Sequence, residues 1–247
     1  MTVDAVIFDW GGTLTPWHAI EWGDQWRAYA HAYDPHHDEA IVAALSDAEG
    51  EAWRLARDEH KATDFDAIVG AAGLVPSGPA HERGVAAYQA YWDPHTYTDP
   101  DVVPLFTALR ERGVAVGVLS NTVWPRDYHE LVFRRDEVLD LIDGAVYTSE
   151  IAWTKPHREA FLAAMRAVGV SSPERCVFVG DRLFDDIHGA REVGMRAVHV
   201  PHSAIPDVQR GHVDGEPHAV VQRLADLLPL VDEWRGSTTQ PRGSTRS

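Results

Sequence analysis

Cysteine is almost absent from this chain of 247 residues, in which Cys176 is the single example. One cysteine excludes an internal disulfide framework and any metal site built from several cysteines. Long hydrophobic runs are also absent, since no apolar stretch approaches the ~18 residues of a membrane-spanning helix. The first residues lack the basic start and the apolar stretch of a signal peptide. We therefore expect a cytoplasmic protein that does not insert into membranes.

Positive charge is scarce, and lysine is the rarer of the two basic residue types. The chain has 38 Asp and Glu residues against 22 Lys and Arg residues, which gives a formal net charge of −16. Such a field repels nucleic acid and anionic membrane surfaces, so neither is expected as a partner. It also repels anionic small molecules, so a site for them needs local positive charge. Lys61 and Lys155 are the two lysines. Because lysine is so rare in this chain, a lysine beside a predicted site is not expected by chance.

Hydrophobic patterning predicts an α/β fold with an inserted helical module. Residues 3–9 contain the continuous apolar run of residues 5–8, which is typical of a strand buried on both faces of a parallel sheet. Strand patterns then vanish, and residues 16–99 show the spacing of about four helices. After them strands and helices alternate, which favours a Rossmann-like parallel sheet covered by helices on both faces. We predict a core domain of residues 1–15 and 100–234, a helical domain of residues 16–99, and a disordered tail of residues 235–247.

Within the alternating region, the apolar runs and the glycines that follow them indicate individual elements. Short buried strands are predicted at residues 114–119, 145–147, 176–179 and 196–200. Two of the predicted helices cover residues 131–141 and, as the last element, residues 219–228.

Five of the nine tryptophans lie in the inserted helical module. Two interpretations stay open: the indoles pack in the core of a small helical bundle, or they form an aromatic lid over a ligand. The five are Trp17, Trp22, Trp26, Trp53 and Trp92.

Polar side chains follow the predicted strands at the edge where an open parallel sheet binds ligands. Asp9 ends the first strand, residues 120–122 (Ser120, Asn121 and Thr122) end the next, and Asp181 follows a later one, with Asp186 nearby. Lys155 stands at a predicted helix start. This set fits phosphoryl transfer, because Asp9, Asp181 and Asp186 can hold a hard cation such as Mg²⁺. Ser120 or Thr122, with backbone N–H groups, would bind phosphoryl oxygens, and Lys155 would neutralise developing charge.

Four segments in this order resemble the motifs of the haloacid dehalogenase (HAD) superfamily of hydrolases. They are residues 8–14, 119–122, 154–156 and 180–190. The resemblance implies a HAD-like core with an inserted helical cap, in which Asp9 is the nucleophile and Lys155 is catalytic. It places Ser120, Asn121, Thr122 and Gly12 at the substrate. It implies a Mg²⁺ site formed by Asp9, the carbonyl of Gly11, Asp181 and Asp186.

One position departs from the pattern of the family's phosphatases. They carry a second Asp two residues after the nucleophile, which protonates the leaving group, and this chain has Gly11 there. Haloacid dehalogenases and phosphonate hydrolases of the same fold also lack that Asp. The latter form a Schiff base on a cap lysine, for which Lys61 is the candidate. His18, Glu21 and Asp24 are candidates for a replacement acid.

The sequence as a whole predicts a Mg²⁺-dependent hydrolase that acts on a small phosphorylated metabolite through an aspartyl-phosphate intermediate. The alternatives are a haloacid dehalogenase, a phosphonate hydrolase, or a HAD-fold binding protein whose activity is impaired because Gly11 replaces the usual acid. The sequence does not specify the substrate or the oligomeric state.

Overall fold

A six-stranded parallel sheet forms the centre of the computed structural model, which describes residues 2–18, 23–203 and 210–236. The strands lie in the order β3-β2-β1-β4-β5-β6, so the first strand of the sequence is central. Their bounds are β1 (Ala5–Phe8), β2 (Ala115–Ser120), β3 (Gly144–Tyr147), β4 (Cys176–Gly180), β5 (Arg196–His199) and β6 (Ala219–Val220). The chain leaves β1 toward β2 on one side and reaches β4 on the other. This reversal opens a crevice at the carboxyl end of β1.

Four helices lie between β1 and the rest of the core, and we call them the inserted helical segment. They are α1 (Asp24–Tyr33), α2 (Asp38–Glu59), α3 (Phe65–Ala71) and α4 (Gly78–Trp92). The predicted helical content of residues 16–99 is therefore present. The division into two domains stays a prediction.

Helices of the core cover both faces of the sheet. They are α5 (Val102–Glu111), α6 (Arg126–Arg135), α7 (Arg158–Ala167), α8 (Gly189–Glu192) and α9 (Leu227–Gly236). Successive residues of a strand point to opposite faces, and both faces of β1 are buried. On one face Phe8 packs against Phe106, with 5.0 Å between ring centroids. On the other face Phe178 of β4 packs against Phe161 at 5.1 Å.

Two of the predicted elements are wrong. Residues 219–228 do not form the last helix: Ala219–Val220 is a sixth strand, and the helix begins at Leu227. The β-branched pair at residues 220 and 221 favours an extended backbone, whereas Pro229 falls in the first turn of α9, which tolerates proline. The predicted helix over residues 131–141 ends at Arg135, because Glu137 adopts a positive φ of 60°.

The first two residues of the predicted tail, Arg235 and Gly236, belong to α9. The remainder of that tail lies outside the described residues. Among the residues that the structure does describe, no helix has the length and apolar character required to cross a membrane.

Candidate active site

The carboxyl edge of the sheet brings the predicted site residues together. Asp9 directly follows β1, and its backbone N–H donates to Val179 O in β4 at 2.9 Å. This bond aligns the two strand ends, after which Asp9 and Asp181 both emerge. Next to them lies a cavity of about 420 Å³. Its walls include Asp9, Gly11, Gly12, Ser120, Asn121, Thr122 and Lys155.

Lys155 lies between two carboxylates at the base of this cavity. Its Nζ donates to Asp9 Oδ1 at 2.6 Å and to Asp186 Oδ1 at 2.7 Å. All three side chains are buried. Burial opposes the charged form of Lys155, but the charges of Asp186 and Asp9 outweigh it and raise the pKa of the ammonium. Lys155 is therefore a permanently charged group that holds Asp9 in place.

Three carboxylates converge at this point. One oxygen each from Asp9, Asp181 and Asp186 lies within 4.8 Å of the others. The Oδ2 atom of Asp181 is buried and has no hydrogen-bond partner among the described residues. Burial, together with the charges of Asp9 and Asp186, raises the pKa of Asp181 to about 8. An all-oxygen donor set with excess negative charge and an unpartnered buried oxygen fits a hard divalent cation such as Mg²⁺.

The two glycines that follow in the loop after Asp9, Gly11 and Gly12, differ in their steric requirements. Gly12 has a φ of +85°, and a Cβ there would lie 2.8 Å from Asp181 Oδ2 and would also collide with Ser203. Only glycine fits that position. Gly11 has no such constraint, because its backbone is not left-handed and no atom lies within 4 Å of where a Cβ would be. Metal ligation by the carbonyl of Gly11 stays a prediction.

The side chain of Asn121 holds the loop that carries Lys155. Its Oδ1 accepts from Lys155 N at 2.8 Å, and its Nδ2 donates to Lys155 O at 3.1 Å. Both polar atoms of the Asn121 side-chain amide are therefore hydrogen-bonded within the protein. The predicted contact of this side chain with substrate stays untested, and the geometry indicates a positioning role.

Of the two candidate hydroxyls, the geometry favours Ser120. Thr122 Oγ1 accepts from Trp124 N at 3.0 Å and lies 3.1 Å from His129 Nε2. The Ser120 hydroxyl makes no hydrogen bond with any of the described residues and lines the cavity. It is thus available to a phosphoryl oxygen.

His129 is a residue of the site that the sequence analysis missed. Its ring stacks on Tyr147 with 4.4 Å between centroids and meets the edge of Trp10 at 4.7 Å. Burial, with a smaller contribution from Arg126, lowers the pKa of His129 to about 3. This neutral imidazole supports the Thr122 loop. Its position on the buried face of α6, three residues before Val132, was the available signal.

The candidates for a replacement acid separate clearly. His18 lines the cavity, and its ring lies 5.0 Å from that of His95. Asp24 pairs instead with Arg27 at an exposed helix start, and Glu21 lies outside the described residues.

Lys61, the candidate for a Schiff base, also borders the cavity, but its side chain is 54% exposed and its Nζ pairs with Glu59 at 2.7 Å. This exposed, ion-paired setting differs from the desolvated apolar pocket that favours a Schiff-base lysine.

The comparison with protein families agrees with this geometry. The family model of the haloacid dehalogenase-like hydrolases matches residues 3–194. The chain belongs to this family of hydrolases. The glyceraldehyde 3-phosphate phosphatase of Methanopyrus kandleri is 31% identical over 173 residues, which are 68% of this chain and 71% of that protein.

Solved structures show the same fold in enzymes of two activities. A HAD phosphatase from Thermococcus onnurineus superposes with a TM-score of 0.63 at 22% identity, covering 95% of this chain and all of that one. A 2-haloacid dehalogenase from Pseudomonas syringae has a TM-score of 0.65 at 21% identity, covering 94% of this chain and all of that one. These likenesses confirm the HAD-like α/β fold, and they do not choose between phosphorus and carbon as the point of attack.

Proposed function

We propose that this hydrolase is a Mg²⁺-dependent phosphatase that acts on a small phosphate ester through an aspartyl-phosphate. The observation that carries the proposal is the carboxylate cluster around the Asp9–Lys155 pair, with Asp181 Oδ2 buried and unpartnered. Two further carboxylates beside the Asp9–Lys155 pair are an excess of negative charge that a divalent cation would balance. The similarity to the glyceraldehyde 3-phosphate phosphatase of Methanopyrus kandleri also supports a phosphatase activity.

Asp9 is the nucleophile in this proposal. Lys155 occupies its Oδ1, which leaves Oδ2 to form a bond to phosphorus while the bond from phosphorus to the ester oxygen breaks. The departing alkoxide takes up a proton from water in the cavity and leaves as an alcohol. Water then attacks phosphorus, the bond to Asp9 breaks, and inorganic phosphate and the free carboxylate are released. Ser120 and Lys155 bind the phosphoryl oxygens throughout.

Asp9, Asp181 and Asp186 would hold the cation. When bound, Mg²⁺ supplies positive charge that offsets repulsion between a carboxylate nucleophile and an anionic substrate. Asp186 also accepts Arg182 N through Oδ2 at 2.9 Å, so its orientation is fixed by the protein itself.

The direct test combines activity with metal binding. We expect release of inorganic phosphate from small sugar and acid phosphates only when Mg²⁺ is present, and none from the Asp9→Asn variant. Asp181→Asn removes an anionic ligand, so calorimetric titration with Mg²⁺ should lose most of its heat. Asp140→Asn, at an exposed carboxylate, is the matched control. Unchanged Mg²⁺ affinity in Asp181→Asn would refute the metal assignment.

A dehalogenase is the second candidate, because Gly11 leaves the position of the usual acid empty. Release of halide from a 2-haloacid without added metal, and no phosphatase activity, would establish it. A single burst of phosphate per chain without turnover would instead indicate a binding protein with impaired activity. Location in the cytoplasm stays a prediction from the sequence.

A further inference from the structure

The cavity beside Asp9 has one wall formed by a single face of α2. Residues three and four apart on a helix share a face, and five residues in this spacing line the cavity: Glu49, Ala52, Trp53, Ala56 and Arg57. The face is acidic at one end, basic at the other, and apolar between. Arg57 lies eight positions after Glu49 along the helix, which is a rise of about 12 Å.

The basic end of this face lies beside the catalytic centre. Thr154 N donates to His60 O at 2.9 Å, and Ala62 N donates to Ala152 O at 3.1 Å. These bonds join the end of α2 to the loop that delivers Lys155. The phosphoryl group therefore belongs at the Arg57 end, and the rest of the substrate extends along α2 toward Glu49.

Glu49 differs from the other charged residues around this wall. Arg57 pairs with Asp58, and Lys61 pairs with Glu59. Glu49, which is partly buried in the cavity wall, has no cationic partner within the described ranges.

The surroundings of Glu49 are aromatic. Burial raises the pKa of Glu49, and the neighbouring indole of Trp26 partly offsets this. The phenol of Tyr88 lies close enough for the charge of Glu49 to add to the effect of burial in raising the pKa of Tyr88. Trp53 and Trp92 line the same cavity. The aromatic rings and the carboxylate are the two kinds of group that bind an organic cation.

We propose that Glu49 binds a positively charged nitrogen of the leaving group, so that the substrate is the phosphate ester of an amino or quaternary-ammonium alcohol. This assignment rests on the proposed phosphatase function. A neutral polyol is the rival ligand, because Gln25 Nε2 and Trp92 Nε1 are buried donors that have no acceptor in the described part of the chain. A polyol would accept hydrogen bonds from those donors but would leave the charge of Glu49 unpaired. An unpaired charge in an apolar setting costs more free energy than an unpaired neutral donor.

The test uses substrates that differ in charge and share a shape. One is choline phosphate, and the other is its carbon isostere, in which a tert-butyl group replaces the trimethylammonium group. A second series pairs terminal aminoalkyl phosphates of increasing chain length with the matching alkyl phosphates. We expect kcat/KM to favour the cationic member by about tenfold or more in at least one pair, the value of a desolvated contact with a carboxylate and aromatic faces.

Glu49→Gln should lower kcat/KM for the cationic substrate by about tenfold and bring the ratio within the pair close to one. Glu51→Gln, an exposed neighbour on the same helix that pairs with Arg54, should leave the ratio as in the wild type. Equal rates for the two members of every pair, or an unchanged ratio in Glu49→Gln, would overturn the assignment. A preference for glyceraldehyde 3-phosphate or another polyol phosphate would overturn it in favour of the rival.

Binding without turnover separates this inference from the proposed function. Tryptophan fluorescence of the Asp9→Asn variant can be titrated with each member of the pairs. Tighter binding of the cationic member, abolished by Glu49→Gln, would support the assignment even if the wild type hydrolysed no phosphate ester. Equal or absent binding of both members would refute it, whatever the activity toward other phosphates.

Discussion

At the scale of single residues, the pair Gly11 and Gly12 shows why two adjacent glycines need different explanations. The positive φ of Gly12 and its approach to Asp181 exclude any side chain. Gly11 stands in open space with an ordinary backbone conformation. The turn therefore does not require glycine at position 11, and an acidic side chain can be introduced there by substitution.

We predict that Gly11→Asp raises the rate with alkyl phosphates, whose leaving groups need a proton, by about tenfold or more, since a placed acid contributes ~10²–10⁴-fold. The rate with p-nitrophenyl phosphate should change much less, because that leaving group departs unprotonated. Steady-state kinetics on both substrates gives the comparison. Gly11→Asn, which has the same size and no acid, is the control. Rapid hydrolysis of alkyl phosphates by the wild type would point to His18 instead.

His129 yields a prediction about stability and pH. Its pKa is lowered to about 3 in the folded protein by burial, whereas an unfolded chain has about 6.5. The unfolded state then binds the proton more readily, so stability falls as pH drops below about 6.5. Between pH 7 and 5 this one group should cost the wild type about 2 kcal/mol of unfolding free energy.

The His129→Gln variant cannot take up that proton. Urea unfolding at pH 7 and at pH 5 should show a loss that is smaller than in the wild type by about 2 kcal/mol. Because only the difference between the two pH values is compared, any constant cost of the substitution cancels. Equal losses in both proteins would show that folding does not change the pKa of His129.

At the scale of elements, the site depends on loops from separate parts of the chain. The loop after β2 carries Asn121, and its amide binds both backbone groups of Lys155. The loop after α2 adds backbone bonds to the same segment. Lys155 thus reaches Asp9 because two other loops hold its backbone.

We predict that Asn121→Ala lowers kcat by about tenfold to a hundredfold, because a small displacement of a catalytic group is costly. Mg²⁺ affinity should hardly change, since Asn121 touches none of the three carboxylates. A double-mutant cycle with Lys155→Ala is the decisive measurement. If Asn121 acts through Lys155, its substitution should have little further effect in that background. Additive losses would assign it a direct contact with substrate.

The tryptophans divide between the two interpretations that the sequence left open. Trp26 is fully buried and packs among Phe65 and Tyr88, with ring centroids 5.4 and 5.0 Å away. Trp17, Trp53 and Trp92 line the cavity. Trp22 lies outside the described residues. The inserted helical segment therefore has an aromatic core and an aromatic cavity wall.

At the scale of the whole molecule, the net charge of −16 opposes an anionic substrate. We predict that kcat/KM for a phosphate monoester rises about two- to threefold as NaCl is added from about 10 to 150 mM, because the Debye length falls from ~30 to ~8 Å. Saturating Mg²⁺ is held constant, and sodium acetate replaces NaCl as a control for specific anion effects. A falling kcat/KM would show that the basic residues at the cavity dominate the field.

Much of this protein was readable from local sequence. The apolar run before Asp9, the helical spacing of the inserted segment and the later alternation predicted a parallel sheet with helices on both faces. Asp9, Asp181 and Asp186 were expected to lie together because parallel strands bring their carboxyl ends to one edge of the sheet. Lys155 was expected beside them from its place at a predicted helix start. These features depend on periodicity and order along the chain, which a single sequence contains.

Other features were decided only by tertiary structure. The engagement of Asn121 and Thr122 within the protein, the neutral state of His129 and the isolation of Glu49 depend on partners that are distant in sequence. The short strand β6 forms because it pairs with β5. A segment of two residues has no sequence pattern from which this pairing could be predicted. Composition and spacing determined which chemical groups reach the edge of the sheet. Packing determined which of them are left free to meet a ligand, because a side chain's availability depends on every neighbour that surrounds it.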